Sequence, residues 1–137
     1  MGTVHAEITL KNAADETNAQ AGYIKTEDIR TVTVTAVVDT GAATLVINEE
    51  VCQTLGLHIK GERSAQMADG RWVACKLTEA VEVCWKDRYW TCTAMLIPGA
   101  KSVLLGAIPL EGMDLMVNPN SRELVGIHGD SVELMLL

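Results

Sequence analysis

Apolar and polar residues alternate along most of this chain, and the period of the alternation is two. The clearest example is Ile29–Val38, in which Val32, Val34, Ala36 and Val38 occupy every second position and threonines separate the first three. This pattern predicts a half-buried β-strand, because successive side chains of a strand point to opposite faces. Weaker alternation predicts a strand over Val4–Leu10, and a short apolar run predicts an extended segment over Thr44–Ile47.

Two segments carry different signals. Asn48 precedes two glutamates and Gly56 follows further along, so a short helix is predicted with Asn48 as its N-cap and Gly56 at its end. The polar stretch Lys11–Gly22 is predicted to be either a surface loop or a short frayed helix.

Turn residues divide the centre of the chain into hairpins. Asp69-Gly70 lies between the extended runs Leu57–Ala68 and Arg71–Trp85, and Asp-Gly between such runs is a strong hairpin signal. A second turn is predicted at Lys86–Arg88, and a further strand over Trp90–Ile97.

The C-terminal part continues in the same manner. A buried strand is predicted at Val103–Leu105 and a short helix over Gly106–Met113. A hairpin formed by Leu115–Val117 and Glu123–Ile127 follows, and Ser131–Leu137 is predicted to be a closing strand. The segments together predict an all-β fold with one or two short helices.

Length and composition indicate the number of domains and exclude some classes of binding partner. The chain has 137 residues, and we expect a single domain over residues 1–137. Its net charge of −7 argues against nucleic acid, because phosphate binding requires clustered Lys and Arg. No apolar run approaches the ~20 residues of a membrane span, so no membrane partner is expected. The N-terminus lacks the basic and apolar regions of a signal peptide, which makes the cytoplasm the expected location.

The residue types that most often bind metals show no site pattern. Cys52, Cys75, Cys84 and Cys92 form no CxxC pair and have no His at ligand spacing. The three histidines adjoin no Ser or Cys motif, so surface or packing roles are expected for them. We therefore expect no metal and no cofactor, and a disulfide among the cysteines stays open at this point.

The chemically informative segment is Val37–Ala42, which contains Val-Val-Asp-Thr-Gly-Ala. An acid at the end of a strand that is apolar on both faces is costly to bury unless its carboxylate is hydrogen-bonded. A turn through Thr40 and Gly41 can supply backbone N–H donors to Asp39, with Gly41 permitting a close backbone approach and Thr40 adding a hydroxyl. Such a short motif, taken alone, is typical of a polar turn that ends a strand.

Two further features make the motif more specific. The apolar-apolar-Gly sequence Leu104–Gly106 lies well downstream and leads into a helix, and the Asp69-Gly70 hairpin lies between it and the motif. In this order and spacing, the chain resembles the retropepsin-like aspartic peptidases (clan AA) over Ile29 to about Val125, and the small bacterial members in particular. The resemblance implies a half-barrel of the acid protease fold that is completed by C2 dimerisation.

The resemblance also implies roles for particular residues. These are Asp39 as the catalytic acid, Thr40, Gly41 and Ala42 as its motif, Asp69, Gly70 and Trp72 in a flap that covers the substrate, and Leu104, Leu105 and Gly106 as a wall of the cleft. For Trp72, packing on the flap's own sheet is an equally weighted alternative.

The sequence departs from the retroviral members of the family at two related places. Those members carry an acid soon after the motif and an Arg after the later glycine, whereas this chain has Ala43 and Ala107 there. Both members of this ion pair are therefore absent from the sequence. The chain also continues beyond the helix through a hairpin and a further strand, so dimer contacts and subsites transfer poorly and the catalytic motif transfers well.

A single catalytic motif implies two chains. Aspartic peptidase chemistry needs two carboxylates that share a proton, and a search of the sequence finds no second Asp-Thr-Gly or Asp-Ser-Gly. A C2 homodimer would supply the second Asp39 from an identical surface. The expected function is an aspartic endopeptidase that acts as a homodimer on a peptide or protein substrate. The alternative is a non-catalytic retropepsin-like module for dimerisation or peptide binding.

Overall fold

A computed structural model describes residues 3–131 as a β-barrel with short helices around it. The strands are β1 (His5–Asn12), β2 (Thr31–Val38), β3 (Leu45–Ile47), β4 (Ile59–Gln66), β5 (Trp72–Trp85), β6 (Arg88–Leu96), β7 (Leu104–Leu105), β8 (Leu115–Asn118) and β9 (Glu123–Gly126). The α-helices are α1 (Ala13–Gln20), α2 (Glu49–Leu55) and α3 (Ala107–Gly112), and a 3-10 turn spans Thr26–Asp28. The all-β prediction is confirmed, with one more α-helix than expected.

Six strands close into a barrel in the order β1-β2-β7-β3-β6-β5, and β5 returns to β1. The pairs β2–β7 and β3–β6 are parallel, while the other four pairs are antiparallel. The long strand β5 has two partners along one side, with β4 pairing to its first part and β1 to its last part. The β4–β5 hairpin is therefore an extension of the barrel wall, and β8–β9 form a separate two-stranded sheet.

The alternation in the sequence corresponds to the two faces of the barrel wall. In β2 the threonines are exposed, while Val32 and Val34 are half-buried and Ala36 is buried. Burial of such apolar side chains is the main favourable term for the fold. The largest fully buried apolar side chains are Ile8, Leu10, Leu45, Ile47, Leu55, Val81, Val83, Leu105, Pro109 and Met113.

The polar stretch after β1 is a helix, which settles the alternative left open by the sequence. The side chain of Asn12 caps α1 by accepting the Asp15 N–H at 3.1 Å, and its amide donates to the Leu55 carbonyl at 2.9 Å. The Asp15 carboxylate accepts two side-chain hydrogen bonds from Arg30, at 2.8 and 2.9 Å, and one from its backbone N–H. These contacts come from outside the helix, which explains why the helix was not clear from its own sequence.

The predicted hairpins are present. Asp69-Gly70 joins β4 to β5, and Gly70 has a φ of 89°, a value that glycine adopts readily. The second turn consists of Lys86-Asp87 alone, because Arg88 belongs to β6 and is buried. Its guanidinium donates to the carbonyls of Met113 and Asp114 at 2.9 Å each, and also to a carbonyl at residue 129. Arg88 thus attaches the C-terminal hairpin to the barrel.

The C-terminal hairpin β8–β9 is confirmed. Asp114 precedes it with a φ of 57° and a buried side chain, and its carboxylate lies 2.8 Å from Nδ1 of His128. The predicted strand over Ser131–Leu137 lies outside the described residues, apart from Ser131 itself.

The four cysteines form no disulfide. Within residues 3–131, no helix is long and apolar enough to cross a membrane.

Candidate active site

Asp39 lies immediately after β2, where the barrel strand gives way to a tight turn. Its backbone N–H donates to the Leu105 carbonyl of β7 at 3.0 Å, so the turn begins at a point fixed by the neighbouring strand. The Ala42 N–H then donates to the Asp39 carbonyl at 3.1 Å, and the Gly41 N–H donates to Oδ1 of Asp39 at 2.9 Å. The predicted hydrogen bond from the turn to the carboxylate is therefore present.

Gly41 and Thr40 contribute differently to this turn. A Cβ atom at Gly41 would lie 3.2 Å from Oδ1 of Asp39, which is tighter than most contacts of real Cβ atoms. Glycine thus allows the close approach that the motif was expected to need. The Thr40 side chain is exposed, and within residues 3–131 its hydroxyl makes no hydrogen bond, so the predicted link from this hydroxyl is not seen.

Gly106 supports the turn from behind. A Cβ atom at this position would lie 2.2 Å from the Thr44 carbonyl oxygen and 2.6 Å from that of Ala42. The Ala107 N–H donates to the Ala42 carbonyl at 2.8 Å, and the Ile108 N–H donates to the carbonyl of residue 43 at 3.0 Å. Backbone hydrogen bonds therefore join the two places at which retroviral members carry the ion pair.

A cleft of about 560 Å³ opens beside Asp39. One side is formed by Asp39 with Gly41–Ala43, and the facing side by Ala65–Ala68 at the end of the β4–β5 hairpin. The remaining lining residues are Val46, Met95, Ile97 and Leu104, all of them apolar. Asp39 is the one ionisable residue among those that line this cleft. A carboxylate in an apolar cleft is a typical arrangement for a site that performs acid–base chemistry.

The hairpin covers the cleft through residues next to those that were predicted. Met67 and Ala68 line the cleft, whereas Asp69, Gly70 and Trp72 are exposed and are not among its lining residues. The Asp69 carboxylate accepts the Arg71 backbone N–H at 3.0 Å and its Nε at 2.7 Å, and these bonds hold the pKa of Asp69 below its usual value. Trp72 is 67% exposed, so it neither enters the cleft nor is buried on the sheet.

The three residues predicted as a cleft wall lie in three different settings. Leu104 lines the cleft, Leu105 is fully buried in the core, and Gly106 packs against the turn of Asp39. Sequence analysis missed Met67, although a signal was available. Residues two apart in an extended segment share a face, so the predicted run Leu57–Ala68 would have placed Ala65 and Met67 on the same side.

No group of three or more His, Cys, Asp or Glu residues within residues 3–131 is arranged to hold a metal ion. The cysteine thiols lie away from the cleft. Burial is the main cause that raises the pKa of the Cys84 thiol to about 12, and it also raises the pKa values of Cys52 and Cys92. These three thiols are therefore protonated near neutral pH and are poor nucleophiles.

Comparison with known families agrees with this geometry. Residues 26–111 match the model of a family described as gag-polyprotein putative aspartyl protease. The match includes the Asp39 turn, the hairpin over the cleft, β7 and all but the last residue of α3. Among curated protein sequences, no match is found. The match spans more than half of the chain, and the protein belongs to this family of retropepsin-like aspartyl proteases.

Proposed function

We propose that the protein is an aspartic endopeptidase that acts as a homodimer, with one Asp39 from each protomer. The observation that carries the proposal is the lone carboxylate of Asp39 in a mostly apolar cleft under a hairpin. Its family is one of aspartyl proteases, and their chemistry requires two carboxylates at one site. The second must therefore come from another chain.

The surface around Asp39 is suited to a second copy. Thr40, Gly41 and Ala43 are exposed, and Ile108, which is bonded to the same turn, is 48% exposed. These side chains are small or apolar, so they can be buried without leaving a charge unpaired. A two-fold axis near this surface would bring each Asp39 close to its equivalent, because a C2 interface joins the same patch on both subunits.

The two oxygens of Asp39 have different surroundings, which supports different tasks for them in the proposed reaction. Oδ1 is held by the Gly41 N–H, which fixes the orientation of the carboxyl group. Within residues 3–131, Oδ2 accepts no hydrogen bond, which leaves it available to a water molecule and to the shared proton. In the dimer, one carboxylate would take a proton from the attacking water while the protonated one donates to the carbonyl oxygen of the scissile bond. The hairpin tip would close over the peptide and limit access of other water.

The substitution Asp39→Asn tests the catalytic role. It preserves the size of the side chain and the Oδ1 acceptor, yet it removes the base and the shared proton. Peptide cleavage between acidic and neutral pH should be abolished, whereas Asp87→Asn, a change of the same kind in an exposed turn away from the cleft, should leave cleavage intact. The free energy of unfolding near pH 7 should stay equal or rise, because two neutral amides do not repel each other.

Mixing experiments test whether two chains share the site. If Asp39→Asn protein is added in excess to the wild type, mixed dimers should form and the activity per wild-type chain should fall. Excess Asp87→Asn protein should cause no such loss. Sedimentation that shows a stable monomer with undiminished activity would refute the dimeric site.

The competing function is a non-catalytic module for dimerisation or peptide binding. In that case the wild type would cleave no peptide, and Asp39 would serve only as an acceptor within its turn. Replacing it with Asn would then weaken a charge-assisted hydrogen bond and cost about 1–3 kcal/mol of stability. The two functions thus predict opposite changes in stability for the same variant.

A cytoplasmic location remains a prediction from the sequence and is testable by fractionation of cells.

A further inference from the structure

A second hollow, of about 460 Å³, adjoins the cleft of Asp39. The two cavities share Val46, Met67, Ile97 and Leu104 among their lining residues, so they are parts of one groove. The second hollow lies between the β5 side of the hairpin and the loop 98–102. An extended peptide that passes Asp39 would therefore reach it.

The hollow has an apolar floor and a positively charged rim. Val73, Ile97 and Pro98 contribute apolar surface, while Arg71 and Lys101 are the ionisable residues that line it. No Asp or Glu is among its lining residues. Both cations are exposed, so they can approach a bound molecule without prior loss of a buried contact.

The two cations differ in their existing partners. Arg71 is paired through Nε with the Asp69 carboxylate at 2.7 Å, and part of its charge is therefore compensated. Within residues 3–131, Lys101 has no ion pair. The chain as a whole carries 18 acidic and 11 basic residues, so a hollow lined by an unpaired lysine and by no acid differs in sign from the net charge of the chain. Clefts lined by one sign of charge attract ligands of the other sign.

We propose that this hollow is an acidic-side-chain subsite, in which Lys101, assisted by Arg71, binds a Glu or Asp of the peptide substrate. The inference rests on the proposed function, because it places the acidic side chain on a peptide that also passes Asp39. The apolar floor would contact the aliphatic part of a glutamate, and the ammonium group of Lys101 would meet its carboxylate.

The dimer gives this inference a second consequence. A two-fold axis through the pair of Asp39 residues would place one copy of the subsite on each side of the scissile bond. Side chains of an extended peptide alternate between faces, so only every second residue can point toward the hollow. The preference for an acidic residue should thus appear at two positions, at equal distances on either side of the cleaved bond.

The test uses a set of peptides in which a single Glu is moved stepwise through the positions around the cleaved bond, each paired with its Gln counterpart. For wild-type protein, kcat/KM should be about two- to fivefold higher for Glu than for Gln at the two symmetric positions, as is typical of exposed ion pairs. This ratio should shrink toward one as salt concentration rises.

Charge reversal at Lys101 gives the decisive comparison. In Lys101→Glu, the preference should invert, so that Lys in the same peptide positions is favoured over Glu. The control Lys25→Glu makes the same change of charge at an exposed residue that lines neither cavity, and it should keep the wild-type preference. An equal preference for Glu and Gln in the wild type, or an unchanged preference in Lys101→Glu, overturns the inference.

Binding measurements separate this inference from the proposed function. The affinities of Glu and Gln peptides are measured with Asp39→Asn protein, which should bind peptides without cleaving them. Tighter binding of Glu peptides, together with a wild type that cleaves nothing, would support the subsite and refute the peptidase. Cleavage without any preference for Glu would refute the subsite alone. Absence of both binding and cleavage would refute both.

Discussion

The substitution Gly106→Ala should disrupt the turn of Asp39 without touching Asp39 itself. A methyl group at this position would lie 2.2 Å from the Thr44 carbonyl oxygen and 2.6 Å from the Ala42 carbonyl oxygen. Ordinary van der Waals contact begins at 3.4 Å, so the methyl group would be more than an ångström too close to the Thr44 carbonyl oxygen. Both oxygens belong to the backbone and cannot rotate away as a flexible side chain would.

The magnitude follows from the two ways in which the structure can respond. Forcing an extra methyl group into a packed site costs about 1–3 kcal/mol. Moving the backbone to relieve the contact would also weaken the bond from the Ala107 N–H to the Ala42 carbonyl, which contributes about 1 kcal/mol. We expect a total loss of about 2–4 kcal/mol in the free energy of unfolding, which corresponds to a fall in Tm of about 10 °C for a chain of this size.

Urea and thermal unfolding at a fixed protein concentration measure this loss, since a dimer would make stability depend on concentration. The matched control is Gly61→Ala in β4, where a methyl group would meet no atom within 4 Å. The control should change stability by no more than about 0.5 kcal/mol. Peptide cleavage should fall in Gly106→Ala and persist in the control. Equal stabilities of the two variants would refute the steric argument.

Two further substitutions test contacts away from the cleft. Asp15→Asn should lower the free energy of unfolding by about 1–2 kcal/mol at pH 7, because the carboxylate is bonded to Arg30. The side-chain bond from Arg30 lowers the pKa of Asp15 below 3.8, so the stabilisation is present above that pH and is lost as pH falls through the folded-state pKa. Urea unfolding at pH 7, 5 and 3 should therefore show the variant approaching the wild type in acid, and a gap that does not change with pH would contradict this. Arg88→Met should cost about 3 kcal/mol and expose residues 114–131 to proteolysis, because three carbonyls would lose their donor. The exposed Arg63→Met is its control, and resistance of both variants to proteolysis would count against the role of Arg88.

Elements that depend on local signals could be predicted from the sequence. The helix α2 begins as expected, with the Val51 N–H donating to the Asn48 side chain at 2.9 Å, and ends at Gly56 with a φ of 61°. The period-two pattern of β2 and the Asp69-Gly70 turn are equally local. In each case, the residues that determine the structure lie next to one another in the chain.

Elements that depend on distant residues could not be predicted in the same way. The helix α1 is short and polar, and the Arg30 side chain that binds Asp15 comes from beyond the helix. Arg88 was assigned to a turn together with Lys86 and Asp87, although distant carbonyl groups keep it buried in β6. A charged residue can be buried only where its partners are, and the sequence does not show where they lie.

The candidate site likewise has one part that depends on neighbouring residues and one part that depends on distant residues. Asp39 and Gly41 were identified from a contiguous motif, and the bond between them is present. The floor of the cleft and its cationic extension are formed by residues from several strands and loops, among them Met67 and Lys101. No spacing rule joins residues from separate strands and loops, so only the folded barrel shows that they line one groove.

The turn of Asp39 is completed by parts of the chain that are synthesised much later. The acceptor for its N–H is Leu105, and the bonds from Ala107 and Ile108 fix the far side of the turn. Such distant segments pair late in folding, because the entropic cost of closing a long loop must first be offset. A nascent polypeptide that has not yet reached Leu105 thus contains Asp-Thr-Gly but lacks the partners that hold it. Ribosome-bound and truncated chains would consequently lack an ordered Asp39 turn, since the motif is ordered only when nearly the whole barrel has been made.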